Sequence, residues 1–354
     1  NGGQLGNRNL IINGAMQVAQ RGTSFTSVTA SAYHLDRFQY NLNGTVGAAT
    51  VTQNTVTDLA GFTKSLKVDC TTADASLAAS DRLTLRYAFE GQDLQQVAKG
   101  TSSAKQLTLS FYIKATKTGT QIVELFDHDN TRHCAKSVTI SQSNTWEKKT
   151  ITYPADTTGA LDNDNANSIS IFFGIACGTD FTSGTLATAW AANTNANRFV
   201  GQVNHFDNTA NNFEITGVQL EVGTATDFEH RSFGQELDLC RRYYYNLAFQ
   251  NTSGTQALFN GSGYDTSTIY HVCVLPTPMR AIPTIEQNTS GSYFQSYGNG
   301  GSNSYSTLNV DATQSTSIVE IYNSGQHSRG GGVSHFTRLN SATTDGKFRL
   351  TAEL

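Results

Sequence analysis

At 354 residues the chain is long enough for two domains, or for one large β domain with an appendage. Lys and Arg number 24 against 28 Asp and Glu, a net charge of −4 with charged residues only 15% of the total. No stretch supplies the concentrated basic face that nucleic acid requires, and a disordered chain would carry more charge and fewer aromatics.

Gly 31 against Pro 4 predicts many tight turns and few rigid linkers. No apolar stretch approaches the ~20 residues of a membrane span, and no signal peptide is visible. The chain starts at Asn1 without Met, so its numbering is expected to begin inside a longer gene product or after trimming. The five cysteines, Cys70, Cys134, Cys177, Cys240 and Cys273, are widely spaced, odd in number and free of CxxC pairs. They signal neither a zinc ribbon nor a disulfide framework; Cys70, Cys177 and Cys273 sit in apolar-alternating runs and read as small buried hydrophobes, and folding in a reducing cytoplasm is expected.

In chain order, period-2 alternation dominates. A short run at Leu66–Cys70 precedes Leu83, Leu85, Tyr87 and Phe89, which alternate with Thr84, Arg86 and Ala88. Leu107, Leu109, Phe111 and Ile113 form the cleanest half-buried strand. Further runs lie at Ile122–Phe126, Val138–Ile140 and Trp146–Tyr153. In Ile169–Cys177 the additional Phe172 predicts burial on both faces, and Phe213–Val222 closes the series. Turn-rich stretches at 116–119, 157–167, 193–197 and 208–212 punctuate them, and the pattern predicts a β-sandwich of jelly-roll type.

Ser232-Phe-Gly-Gln235 has the spacing of a capping box and predicts a helix running to Tyr244, with Leu237, Cys240 and Tyr244 on one face. Acids in its first turn and Arg241-Arg242 in its last suit the helix dipole. Beyond it Ile269–Leu275, Ser317–Tyr322 and Lys347–Leu354 read as strands, while Pro276, Pro278 and Pro283 stiffen the connection. Low-complexity bias is confined to 291–306 and 328–332. The predicted organisation is a jelly-roll domain over residues 1–235 and a smaller β domain over 236–354.

Three stretches resemble a family of bacteriophage tail-fibre and related virion proteins, many with a jelly-roll module similar to carbohydrate-binding domains. They are Asn9-Leu-Ile-Ile-Asn13-Gly14-Ala-Met-Gln17-Val-Ala-Gln-Arg-Gly-Thr23 with Tyr33-His-Leu-Asp36-Arg37-Phe38, then Val218-Gln219-Leu-Glu221-Val-Gly223 running on to Arg231 and Arg241-Arg-Tyr-Tyr244, then Leu275-Pro-Thr-Pro-Met-Arg280-Ala-Ile-Pro-Thr284. Together they bracket nearly the whole chain. The resemblance implies a virion location, assembly as a homotrimer with other virion proteins as neighbours, and contact with host-surface glycans. The motifs also have a packing role of their own: Asn13-Gly14 is a turn signal after an apolar strand, and Asp36/Arg37 and Glu229/Arg231 can pair where the ends of a jelly roll meet. Many carbohydrate-binding jelly rolls hold a structural calcium near these positions. Gln17 and Gln219 stand here where acids would help, so no cofactor is expected, with calcium the one candidate.

Asp127-His-Asp-Asn-Thr-Arg-His133 is rich in metal-ligating types, but its place between two strands predicts a hairpin loop. Glycan hydrolysis needs two facing carboxylates. Glu124, Glu214 and Glu320 are the candidates, each read as an outward residue of a half-exposed sheet. No G-x-S-x-G, H-E-x-x-H or phosphate-cradling loop is present. Glycan binding needs exposed rings with amides and hydroxyls beside them. That mix points to Tyr293, Phe294, Tyr297 and Tyr305 in the Gly/Ser/Asn segment, to Trp190 in an Ala/Thr/Asn loop, and to Tyr264; packing against a neighbouring subunit is the competing use of these rings. The expected function is adsorption to a host-cell glycan without chemistry. A structural decoration or fibre-shaft protein and a tail-borne polysaccharide depolymerase are the alternatives.

Overall fold

A computed structural model describes residues 7–249, 256–288, 291–298, 300–311, 315–324, 331–340 and 346–354. Residue 299 and residues 328–330 of the two low-complexity stretches lie outside these. The chain is nearly all β, 47% strand and 7% helix, and its contacts divide it after Glu236 into two units, with Leu354 grouped with the first.

The first unit carries β1 (Ser24–Val28), β2 (Ala32–Leu35), β3 (Phe38–Asn43), β4 (Ala48–Thr55), β5 (Lys64–Thr72) and β6 (Arg82–Glu90). They are followed by β7 (Leu107–Ala115), β8 (Gly119–Asp127), β9 (Arg132–Ile140), β10 (Glu147–Tyr153) and β11 (Asn167–Cys177). A single-turn helix α1 (Thr179–Thr182), β12 (Ala191–Ala192) and β13 (Asn212–Val222) complete it. A six-stranded sheet in the order β1-β4-β5-β13-β7-β10 faces a seven-stranded sheet in the order β12-β9-β8-β11-β6-β3-β2, a jelly-roll sandwich. The alternation seen in the sequence puts Leu109, Phe111 and Ile113 of β7 and Ile171, Phe173 and Ile175 of β11 into the shared core. Across it Phe111 meets Phe173 edge to face, ring centroids 5.2 Å apart.

Phe172 on the opposite face of β11 is buried as well. With Ile122 and Ala135 it forms a second small core beneath Phe181 and Phe199 of the segment between β11 and β13. Part of the outer face of this sheet is therefore filled by the chain itself.

The first two motifs meet. Residues 9–14 run beside β13, Leu10 N donating to Leu220 O and Val218 N to Gly14 O, both at 2.9 Å. Leu10–Ile12, expected as a strand, joins no ladder. A Cβ on Gly14 would lie 2.1 Å from Val218 O, so only glycine permits this approach. Glu229 accepts from the backbone of Asn7 and Asn9, while Arg231 donates to the carbonyls of Asn9 and Ile11 and pairs with Glu236 at 3.3 Å. Asp36 accepts from Gln20, and Arg37 donates to Ala88 O.

The capping box forms as expected, Ser232 N donating to Gln235 Oε1 at 3.1 Å and Gln235 N to Ser232 Oγ at 3.4 Å. Helix α2 (Phe233–Arg241) stops earlier than predicted, and Tyr244 opens β14 (Tyr244–Phe249). Three consecutive tyrosines favour extended backbone, and pairing with the last strand overrides the helical spacing of Tyr244.

The second unit adds β15 (Gln256–Gly263), β16 (Thr268–Val274), β17 (Thr284–Gln287), β18 (Phe294–Gly298) and β19 (Gly301–Tyr305). β20 (Asn309–Val310), β21 (Ile318–Ser324), β22 (Ser334–Leu339) and β23 (Lys347–Thr351) follow. They form a three-stranded sheet β14-β23-β17 and a seven-stranded sheet β19-β18-β22-β15-β16-β21-β20. Residues 291–306, read from sequence as lacking a core-forming period, contain the β18–β19 hairpin. Phe294, with Ser296 one alternation on, faces inward, and Tyr305 closes the return strand. Leu275 and Met279 of the third motif are core residues, and Arg280 donates to the carbonyls of Ala352 and Glu353.

Candidate functional site

The outer face of the large C-terminal sheet is where exposed rings gather. On β16 Ile269, His271 and Cys273 turn inward and Tyr270, Val272 and Val274 outward; on β21 Val319 and Ile321 are buried and Tyr322 lies between exposed and core positions. The register sets Tyr270 opposite Tyr322, and the two rings stack with centroids 5.6 Å apart and planes 30° apart. Tyr264, 76% exposed, approaches Tyr270 edge-on at 5.7 Å.

The same device recurs on the other side of the sheet. Tyr297 of β18 is opposite Phe336 of β22, and these rings stack at 5.5 Å and 30°. Opposite Tyr297 on β19 stands only Ser302, and Tyr297 is 41% exposed. Between the two stacks runs β15, whose exposed Asn260 and Ser262 sit opposite Phe336 and Tyr270. Phe336 and Tyr270 are thus two strand spacings apart, on the order of 10 Å. Arg338 lies beside the Tyr297/Phe336 stack, its guanidinium carbon 5.2 Å from the Tyr297 ring centre. Its Nε donates to Gln295 Oε1 at 2.8 Å, and Gln295 Nε2 donates to Ser302 Oγ at 3.2 Å.

Beneath this surface the core is tied by Tyr305 Oη and Thr337 Oγ1 at 2.8 Å, with His271 Nε2 3.0 Å from the same Thr337 oxygen. Burial pushes the His271 pKa down to about 4, so this ring is neutral at neutral pH.

Of the six ring residues singled out from sequence, Tyr297 and Tyr264 are on this face. Phe294 and Tyr305 are not available to a ligand: they are 0% and 3% exposed and stack on each other in the core. Tyr293 is half-buried against that core. Trp190 is half-buried too, its indole N–H donating to Pro154 O at 2.9 Å and its ring facing the Lys99 ammonium at 5.1 Å. Tyr270, Tyr322, Phe336 and Arg338 were missed. Their signal was present, since Tyr270 and Tyr322 occupy alternate positions of predicted strands, but only pairing shows which alternate set faces out.

Of the three carboxylate candidates, Glu320 of β21 is half-buried on this same face, opposite Val272, and the other two are committed elsewhere. Glu124 is fully buried rather than outward-facing, held by both Nε and Nη2 of Arg198 and by His133 Nδ1 at 2.8 Å. Burial raises its pKa, but the charge of Arg198 and the His133 bond prevail and hold it below the usual range. Glu214 is buried against Asn54 and Ser65. Asp127, the last residue of β8 and the first of the stretch rich in metal-ligating types, is paired with Lys99. The expected calcium region does not fit a metal: Glu221 accepts from Thr226 N and Oγ1 and from Gln219 Nε2, so its lone pairs face protein donors. Among the described residues no group of three or more His, Cys, Asp or Glu is placed to hold a metal ion. A cavity of about 240 Å³ in the first unit is lined by Phe228, His230 and Phe233 above the Arg231–Glu236 pair.

A two-unit, all-β protein with an aromatic sheet face open to solvent is the class that fold and site define. No family model and no curated protein matches the chain. Solved structures are similar to it at low identity. The enzymatically active domain of bacteriophage CBA120 tailspike protein 4 is 14% identical over 61% of this chain and 21% of its own, with a TM-score of 0.31. The C-terminal family 22 carbohydrate-binding module of a Clostridium thermocellum xylanase is 13% identical over 63% of this chain and 99% of its own, at 0.31. An arabinose-bound α-L-arabinofuranosidase is 13% identical over 63% and 28%, at 0.32. The chain thus spans about a fifth of the tailspike's length. The likeness concerns the fold alone.

Proposed function

We propose that this protein is a glycan-binding component of a bacteriophage particle, adsorbing to the host-cell surface through the outer face of its C-terminal sheet. The observation that carries this reading is the pair of ring stacks, Tyr297/Phe336 and Tyr270/Tyr322, on either side of a floor of Asn260, Ser262 and Ser334. Sugar C–H surfaces stack on aromatic rings, and amides and hydroxyls bond the ring hydroxyl groups. The phage setting, the virion location and a homotrimeric assembly with other virion proteins rest on the resemblance of the three motifs. In this reading the protein binds without performing chemistry.

The test is retention on an array of bacterial surface polysaccharides, with a search for shortened products. Specific retention without product release supports an adsorption protein. Loss of retention in folded Tyr297→Ala and Tyr270→Ala variants assigns it to this face; release of oligosaccharide would overturn the non-enzymatic part.

A second reading is favoured by Val272, Val274 and Ile318, which are 63%, 72% and 47% exposed on the same face. Exposed β-branched residues in a row suit contact with protein, as in a purely structural virion component. Silence across the whole array would favour it.

A further inference from the structure

We propose that the glycan is acidic, and that Arg338 is the specificity-determining residue that reads its anionic substituent. The inference rests on the glycan-binding reading above and names its substrate class.

Four other arginines pair with carboxylates: Arg132 with Asp156, Arg198 with Glu124, Arg231 with Glu236 and Arg349 with Glu286. Arg338 is different. Its partners among the described residues are the neutral carbonyl oxygen of Gln295, reached by Nε and Nη2, and the rings of Tyr297 and Phe336 at 5.2 and 5.9 Å. The side chain is half-buried and held in place, and among the described residues it has no ion pair with a carboxylate. Gln295 is itself fixed, since its amide nitrogen donates to Ser302 Oγ. A guanidinium oriented by an amide and two rings has lost most of its rotamer freedom before any ligand arrives.

Nη1 takes part in none of these hydrogen bonds, and so its N–H groups remain for a ligand. They lie beside the ring on which a sugar would stack. A carboxylate or phosphate ester on that sugar would accept from them in a charge-assisted bond, whereas a neutral sugar would leave the charge uncompensated. Both anions share this chemistry, and the test separates them.

Wild type, Arg338→Gln, Arg338→Lys and Tyr297→Ala are compared on immobilised bacterial polysaccharides of three kinds: neutral, uronate-containing and substituted with pendant phosphate monoesters. Each acidic polymer is also presented in neutralised form, carboxyl-reduced or dephosphorylated. Wild type is expected to bind an acidic polymer at least about tenfold more tightly than its neutralised form, with affinity falling as salt rises. Loss on carboxyl reduction identifies a carboxylate, and loss on dephosphorylation a phosphate. Arg338→Gln, with an unchanged melting temperature, should bind both forms alike, and Arg338→Lys should recover part of the difference. If wild type binds acidic and neutralised polymers equally and only Tyr297→Ala abolishes retention, the glycan reading stands and the role of Arg338 is overturned. If nothing is retained, both fall together.

Discussion

Lys99 does in the first unit what a bound cation would do. Its ammonium, with the side chain 2% exposed, faces Asp127 and Asp156 and donates to the carbonyls of Thr158 and Gly159 at 3.0 and 2.9 Å. One residue thereby ties the end of β8 to the turn after β10. Replacing Lys99 by Met would leave Asp127 buried without a cation, while Asp156 keeps Arg132, at a cost of about 3–5 kcal/mol; urea unfolding measures it, and a loss below about 1 kcal/mol would show that the pair is not structural. Gly14 is a sharper case. Gly14→Ala puts a methyl group onto Val218 O, so β13 must shift or the junction of the first two motifs must open. A clear fall in melting temperature is expected, whereas Ala15→Gly next to it should have little effect. Neither demand can be read from local sequence, because the partners lie tens to hundreds of residues away.

At the scale of elements, the β18–β19 hairpin separates packing from recognition. Phe294 and Tyr297 are three residues apart, yet one is 0% exposed and the other 41%. Phe294→Ala should therefore cost about 3–5 kcal/mol of stability. Tyr297→Ala should cost less than about 1 kcal/mol and still reduce polysaccharide retention at least tenfold. Equal destabilisation by both, read by thermal unfolding, would mean that the ring stack with Phe336 is part of the fold and not a ligand surface. The sequence marked this segment for its rings but not for its strands. Serine and glycine at buried positions hide the two-residue period, and Ser296 is fully buried although nothing in its type says so. In helix α2 the opposite holds. Its capping box is local, so it was legible, while its end was set by the pairing of β14 with β23.

For the whole molecule, protonation links the two units to pH in the same sense. His34 and His205 in the first unit and His271 in the second are buried, and burial lowers their pKa from 6.5 to about 4, about 3 and about 4. The folded state excludes a proton that the unfolded chain binds, so stability is full above about pH 6.5 and declines as pH falls toward 4. Shifts of this size correspond to roughly 3–5 kcal/mol per histidine. Urea midpoints at pH 7 and pH 4.5 check it, and an equal or higher midpoint at pH 4.5 would contradict it. Because each unit has its own core, Phe294→Ala should shift the unfolding of the C-terminal unit and leave that of the jelly roll in place. The sequence alone determined the all-β class, the sandwich strands, the capped helix and the two-sided burial of β11, because alternation and capping are properties of neighbours along the chain. Tertiary structure decided which rings are core and which are surface, that Glu124 is buried in an ion pair, and that Lys99 pairs with Asp127 and Asp156. Those outcomes depend on strand register and on partners distant in sequence, and a pattern of alternate residues states only that two faces exist, not which one meets water.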